Sequence, residues 1–496
     1  MNRRHFIKLG VVGTGAALAG VEAVSGQNLP AASKPSTMVA MPISVAPLAK
    51  GDLDAMFADM RERAGVNALF PFIYSHEPHR AGLVQEGGRV GDYHGGNYAR
   101  PHLQFYKDTP LTLADMTAPE FGGADVLERV IPVAKKHGIR TFPFLLEDNT
   151  LPALVPHWQG LYEVDHHGRP TTGHPGGPCF NNPYYQNFTL GLVEDYARSY
   201  DIGGIMWGSE RQGGLLNTLG ISQSSGQDPG RTTCFCEFCL KKGRDRGIDV
   251  ERARRGFDEV ENYVRACRAG QRPRDGYFST FWRLLLNYPE VLAWENLWAG
   301  SRHELQAAIY RKVKSVNPAL QVGWHAWQNI SFSPFQRAEE NNADVAGFSD
   351  FIRPALYNNV AGGRFVTFVR GARNPVFGDL PPELTLDMLY RELNYDGEAP
   401  YDKLAATGFS ADYVERETRR AVESLSGHPV QIWPGVDIDV PVSAGESHCT
   451  PESVGRAVKA AFKGGAQGII LSRNYTEMKP ENLSGAGAAL KELGII

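Results

Sequence analysis

Three cysteines stand together in Cys234-Phe235-Cys236-Glu237-Phe238-Cys239, and a fourth, Cys179, lies upstream beside Asn181-Asn182-Pro183. Thiolates are soft ligands, and four of them close the tetrahedron of a structural zinc site. The competing reading is a disulfide or plain buried thiols, but a disulfide would leave an odd sulfur in the cluster. Zinc held by Cys179, Cys234, Cys236 and Cys239 is the better expectation. A closed four-sulfur site braces a fold and takes no part in a reaction.

Carboxylates supply the second kind of chemistry. Glu210 follows an apolar run in Trp207-Gly208-Ser209-Glu210-Arg211-Gln212, and Asp437 and Asp439 follow another in Trp433-Pro434-Gly435-Val436-Asp437-Ile438-Asp439. Two carboxylates across a sugar ring are what glycosidic cleavage needs: one protonates the leaving oxygen, and the other attacks the anomeric carbon or activates water. Glu210 is expected to be the acid/base and Asp437 the nucleophile or base, with Asp439 as its substitute. Burial beside Trp207 is expected to raise the Glu210 pKa, so that it starts protonated near neutral pH.

Trp207, Trp324, Trp327 and Trp433 lie at or just beyond the ends of such runs, where indole rings can stack on the apolar faces of a sugar. Arg211, His325, Tyr357, Asn358, Asp439 and Arg473 are the expected polar contacts, with His76-Glu77 and Glu147-Asp148-Asn149 at the same rim. His94, His102, His166 and His167 lack a His-x-His or His-Glu-x-x-His spacing, so a catalytic metal is not indicated. No Gly-x-Gly-x-x-Gly turn supports a dinucleotide site, and no organic cofactor is expected.

Such residues need a frame. From Thr37 onward, short apolar or β-branched runs alternate with helical patterns, which argues for repeated β-α units and a parallel sheet. Eight strands are read at 38–44, 67–73, 140–146, 203–207, 320–324, 351–356, 430–433 and 467–471. Helices with one apolar face are read at 53–63, 126–137, 185–200, 303–316, 413–425 and 453–463. Eight units predict an α/β (β/α)8 TIM barrel over 37–496, with long loop insertions at 76–124 after the second strand and 211–276 after the fourth. A barrel binds ligands at the C-terminal ends of its strands, where Glu210 and Asp437 fall. An open doubly wound sheet is the alternative fold.

The chain has 496 residues, 42% hydrophobic content and a net charge of -4. That composition fits a large globular unit and lacks the basic excess of a nucleic-acid binder. Asn2-Arg3-Arg4-His5-Phe6-Ile7-Lys8 followed by a Gly/Ala-rich run reads as a twin-arginine export signal over 1–26, with a linker over 27–36. The twin-arginine export machinery is therefore an expected partner and the periplasm or exterior the expected location. No later segment reaches the roughly 20 apolar residues a membrane helix needs, so no stable membrane insertion is expected after processing. A homo-oligomer is left open.

Glu210 after the fourth strand, Cys179 upstream of it and Cys-x-Cys-x-x-Cys downstream resemble the family 42 glycoside hydrolases, mostly β-galactosidases, and their clan A barrel relatives. The resemblance implies that Glu210 is the acid/base and that Cys179, Cys234, Cys236 and Cys239 hold structural zinc. It spans about Cys179 to Cys239. The family's Asn-Glu pair is Ser209-Glu210 here, and Asp437 or Asp439 stands where a glutamate nucleophile is expected. An exported glycoside hydrolase is the reading these residues support. A non-catalytic carbohydrate-binding barrel, or a sugar lyase or isomerase with His325 or Tyr357 as base, is the alternative.

Overall fold

A computed structural model describes residues 37–83, 94–147, 156–171, 177–223 and 232–496. The twin-arginine stretch, the linker, and Asp148 and Asn149 lie outside the described residues. Eight parallel strands are β1 Met38–Ile43, β2 Ala68–Pro71, β3 in two pieces at Arg140–Thr141 and Phe144–Leu146, β4 Gly204–Gly208, β5 Gln321–Ala326, β6 Phe351–Leu356, β7 in two pieces at Gln431–Ile432 and Gly435–Asp437, and β8 Gly468–Ser472. Neighbours pair in the order β2-β1-β8-β7-β6-β5-β4.

The two halves of β3 close the ring. Arg140–Thr141 pairs with β2, and Phe144–Leu146 pairs with β4. Pro143 has no N–H to give to a ladder, yet its carbonyl accepts from Met206 at 3.0 Å while the Phe142 N–H donates to Leu69 at 2.8 Å. One strand thus bonds to both neighbours, and the sheet is a (β/α)8 barrel.

Side chains alternate along a strand, and this parity assigns every barrel residue to one of two environments. Met38, Ala40, Phe70, Phe142, Phe144, Met206, Phe351, Trp433 and Ile470 form one apolar cluster that fills the barrel. Val39, Met41, Ile205, Trp207, Trp324, Ile352 and Leu471 belong to the larger cluster shared with the helices outside it. Strands buried on both faces are apolar throughout, as parallel strands are.

The outer helices follow the same logic. In Leu53–Ala64, Asp52 caps the start by accepting from the Ala55 N–H, Gly65 ends it in the left-handed region at φ 64°, and Leu53, Phe57, Met60 and Ala64 form the buried stripe. Burying a side chain such as Phe57 or Met60 stabilises the shell by about 1.5–3 kcal/mol. The helix expected at 303–316 extends further, over Glu290–Val316.

Within the segment between β4 and β5 lie helices at Gly214–Leu219, Glu237–Asp245, Val250–Arg268 and Tyr277–Asn287. The segment between β2 and β3 carries a short antiparallel pair, Tyr74–Ser75 with Gly96–Asn97. A third long excursion, after β6, carries helices at Asn358–Ala372, Pro382–Leu393 and Tyr401–Thr407 that sequence reasoning did not separate. Among the described residues no helix is long and apolar enough to cross a membrane.

Candidate active site

A pocket opens at the C-terminal end of the barrel, lined by residues that include Phe72, Arg80, Glu210, His325, Arg353, Tyr357, Arg364 and Arg473. Strand parity explains how the wall is built. His325 is two residues beyond Gly323 on β5, and Arg353 is two beyond Phe351 on β6, so both point inward. Gly208 on β4 makes room, because a Cβ there would stand 2.6 Å from the His325 Cβ. Gly435 on β7 does the same for Arg353, whose Nε and Nη2 would lie 2.8 Å from an added Cβ.

Glu210 stands at the centre of the polar contacts. Its Oε1 is 2.9 Å from His325 Nε2, and its side chain keeps 30% of its surface exposed. Arg353 Nη1 lies 2.5 Å from His325 Nδ1. A guanidinium can only donate, so Nδ1 accepts and Nε2 carries the hydrogen that goes to Glu210. Burial and the Arg353 charge also push the His325 pKa down, which keeps the ring neutral. Arg353 is held in turn by Ser472 Oγ at 2.8 Å and by the Tyr357 hydroxyl.

This arrangement corrects the expected protonation of Glu210. Burial raises its pKa, but the hydrogen bond from His325 and the charges of Arg80 and Arg364 outweigh it and hold the carboxyl at about 2. Glu210 is a carboxylate in the free pocket. The Trp207 neighbourhood invoked for the opposite shift faces the other side of the sheet.

The structure brings together Glu210, His325, Tyr357 and Arg473, and it separates the other expected site residues from them. Trp207 and Trp324 have outward parity. Their rings meet edge to face at 6.4 Å, and the Trp324 Nε1–H donates to Ser349 Oγ at 2.7 Å. Trp433 points inward but lies deep, stacked on Phe351 with 3.9 Å between ring centroids. Trp327 packs beside Trp324 behind the barrel wall. These indoles are core, and none of them is a sugar platform in this pocket.

Arg211 is also redirected. It is buried between Glu147, at 2.7 Å, and Glu163, at 3.3 Å, with its guanidinium 4.2 Å from the Phe180 ring centre. Ser209 donates to the same Glu147 at 2.6 Å. Both neighbours of Glu210 therefore anchor the loop that presents it. Asn358 is buried and donates to the Phe409 carbonyl at 3.3 Å. Asp439, at φ 61°, accepts from the Lys479 N–H and from Asn482, tying the loop after β7 to the C-terminal helix.

Asp437 ends β7 with inward parity, yet it has 0% exposure and does not line the pocket. Its Oδ1 accepts from the Val440 N–H at 2.9 Å and lies 3.3 Å from Cys449 Sγ, while Oδ2 has no hydrogen-bond partner among the described residues. Burial pushes its pKa up. His76 and Glu77 are likewise outside the pocket lining.

Sequence reasoning missed Arg80, Arg353 and Arg364. Arg353 had a signal: a cation in the middle of a strand that is otherwise apolar and buried. Arg80 and Arg364 come from an insertion and from the helix after β6, where one surface arginine reads like any other.

The cysteine cluster is a separate site that joins the loop after β4 to Cys179, which precedes the helix leading into that strand. All six cysteines are free, so the disulfide alternative is not what the structure contains. The sulfurs of Cys179, Cys234, Cys236 and Cys239 lie within 4.8 Å of one another, with Cys179 3.4 Å from Cys239 and 3.5 Å from Cys236. A tetrahedron with 2.3 Å bonds to zinc has edges of about 3.8 Å, so the set fits that ion. N–H groups of Val164 and Asn181 point at the sulfurs, at 3.5 Å from Cys234 and 3.4 Å from Cys179, which favours thiolates. His166, His167 and Asp258 form a second group close enough to share an ion.

No protein-family model and no curated protein matches the sequence. Solved structures do. β-Galactosidases from Halorubrum lacusprofundi, Marinomonas ef1 and Rahnella sp. R3 each superpose with a TM-score of 0.50, at 14, 10 and 13% identity over 92, 92 and 93% of this chain. The chain spans 58, 59 and 57% of those three proteins. The fold is similar to the barrel of these β-galactosidase structures.

Proposed function

We propose that the chain is a glycoside hydrolase whose acid/base group is Glu210. The observation that carries the reading is the Glu210 carboxylate, standing at the open end of a glycosidase-type barrel in hydrogen-bond contact with a neutral histidine. Such a group can take and return a proton at a leaving oxygen once substrate changes its surroundings. Asp437 is proposed as the second carboxylate, on its inward position at the end of β7. Its burial means that a bound sugar must open the way to Oδ2 before that oxygen can act. Zinc held by Cys179, Cys234, Cys236 and Cys239 is proposed to brace the loop that carries Glu210. Residues 1–26 are proposed to send the protein through the twin-arginine pathway to the periplasm or exterior.

One observation favours a second reading. Glu210 is ionised at rest, the state that proton abstraction requires, so a sugar lyase or isomerase with Glu210 as base also fits. His325 is a poor base for it, because both ring nitrogens are already engaged. The test is a panel of α- and β-linked aryl glycosides and oligosaccharides, read by product mass and by the anomer first released. Products that have gained one water support hydrolysis. Products that have gained none move the assignment to the lyase or isomerase.

A further inference from the structure

The pocket is richer in cations than in anions: Arg80, Arg353, Arg364 and Arg473 line it against Glu210 and Glu477. What each guanidinium already binds separates them. Arg473 is matched by both oxygens of Glu477, at 2.8 to 3.1 Å. Arg80 pairs with Glu77 at 3.0 Å. Arg353 is spent on His325, Tyr357 and Ser472 inside the wall.

Arg364 is different. Its hydrogen bond among the described residues is from Nη1 to the neutral Oε1 of Gln328, at 2.6 Å, and no described carboxylate lies within the 4.0 Å of an ion pair. The Tyr357 ring lies 5.8 Å from its Cζ, and the carboxylates of Glu210 and Asp437 act on it only from beyond ion-pair distance. A guanidinium carries five N–H donors in a planar fork. Setting one in a partly buried wall with no carboxylate in direct contact is costly, and such a group is suited to a ligand that completes it.

We propose that the pocket takes a saccharide bearing an oxyanion, a carboxylate or a sulfate, and that Arg364 is its partner. The inference rests on the reading of this pocket as a sugar site. A planar fork matches two oxygens of one anionic group, whereas neutral hydroxyls are met as well by amides and alcohols. Burial already draws the Arg364 pKa below its usual value, as expected of a cation waiting for an anion.

Binding would also act on the acid/base group. Glu210 is faced by His325 and by the guanidinium groups of Arg80, Arg364 and Arg473, with Glu477 offsetting Arg473. An anion held by Arg364 offsets one of the charges that keep Glu210 ionised, and a sugar covering the pocket excludes water from it. Both changes move Glu210 toward the protonated form that a leaving oxygen needs.

The experiment is calorimetric titration of the full chain with glucuronate, galacturonate, galactose 6-sulfate, neutral galactose and inorganic sulfate, repeated on Arg364→Gln and Arg364→Lys. Thermal melts check that each variant is folded. We expect a uronate or the sulfated sugar to bind at least tenfold more tightly than galactose, Arg364→Gln to abolish that preference, and Arg364→Lys to restore part of it. The better of the two ligand types identifies the anion. Equal binding of charged and neutral sugars, a preference that survives in Arg364→Gln, or no binding of any charged sugar would overturn the proposal. Inorganic sulfate binding as tightly as the sulfated sugar would overturn its saccharide part. Charged sugars bound but never cleaved would count against the hydrolase and leave this inference standing. Neutral glycosides cleaved at full rate by Arg364→Gln would do the reverse.

Discussion

Glu210 and Arg211 are neighbours in the chain, and they serve opposite ends. Arg211 turns into the protein, where Glu147 and Glu163 flank its buried guanidinium and the cysteine loop packs close by. Glu210 turns into the barrel mouth, where it stays partly exposed among more cations than it can satisfy. In the loop region one buried cation is clasped by two carboxylates, which makes it a support. The mouth is left unmatched, which leaves it something to bind. Two adjacent polar residues after a strand are therefore no guide to one shared role; their burial and partners decide it.

This contrast can be broken in several places. The largest expected effect is on the support side. Cys239→Ser, or chelation of the wild type, should destabilise the fold by about 3 kcal/mol or more, the range in which loss of a metal site falls, measured by denaturant unfolding with zinc content read in parallel. A protein that holds no zinc and melts unchanged would remove the bracing site from the account. Arg211→Met comes next. It leaves Glu147 and Glu163 buried without their cation and should cost about 3–5 kcal/mol, with the loss visible in the unfolding midpoint.

A smaller effect belongs to the mouth and depends on pH. The Glu210 carboxyl sits at about 2 against an ordinary 4.5, so its ionisation stabilises the folded state fully above pH 4.5 and loses that contribution as pH falls toward 2. Melting curves of wild type and Glu210→Gln should therefore draw together over that interval. Parallel curves would mean that His325 and the arginines do not hold the carboxylate as described. The smallest effect is expected for Trp207→Phe on sugar affinity, which should change by less than a factor of about two, because the ring lies outside the barrel wall and does not line the pocket. A large loss of affinity would return Trp207 to the site.

The barrel was legible because its strands are short apolar runs between turns; four of the eight read segments contain the observed strands and the other four overlap them. Two strands are broken where a proline sits, at Pro143 and Pro434, a detail that periodicity does not carry. The helix Asn358–Ala372 escaped because it contains three glycines and several β-branched residues, all weak helix formers; packing against the barrel overrides that preference. The candidate site was half legible. Glu210 and His325 were found from position at strand ends, but Trp207 and Trp324 were misplaced by the same rule, since nearness to a strand end says nothing about which face a residue takes. Parity relative to Met206 and Gly323 would have turned both outward. Arg364 could not be found that way, as it reaches the pocket from a helix far along the chain.

Whether the barrel mouth reacts and the cysteine loop only supports is decided by measuring turnover and melting temperature together for Glu210→Gln, on whichever glycoside the wild type cleaves. The predicted result is a loss of about 10²–10⁴-fold in kcat, the contribution of a positioned acid/base group, in a variant that is less stable at neutral pH but still folded and melts well above the assay temperature. Turnover equal to that of the wild type would contradict the claim.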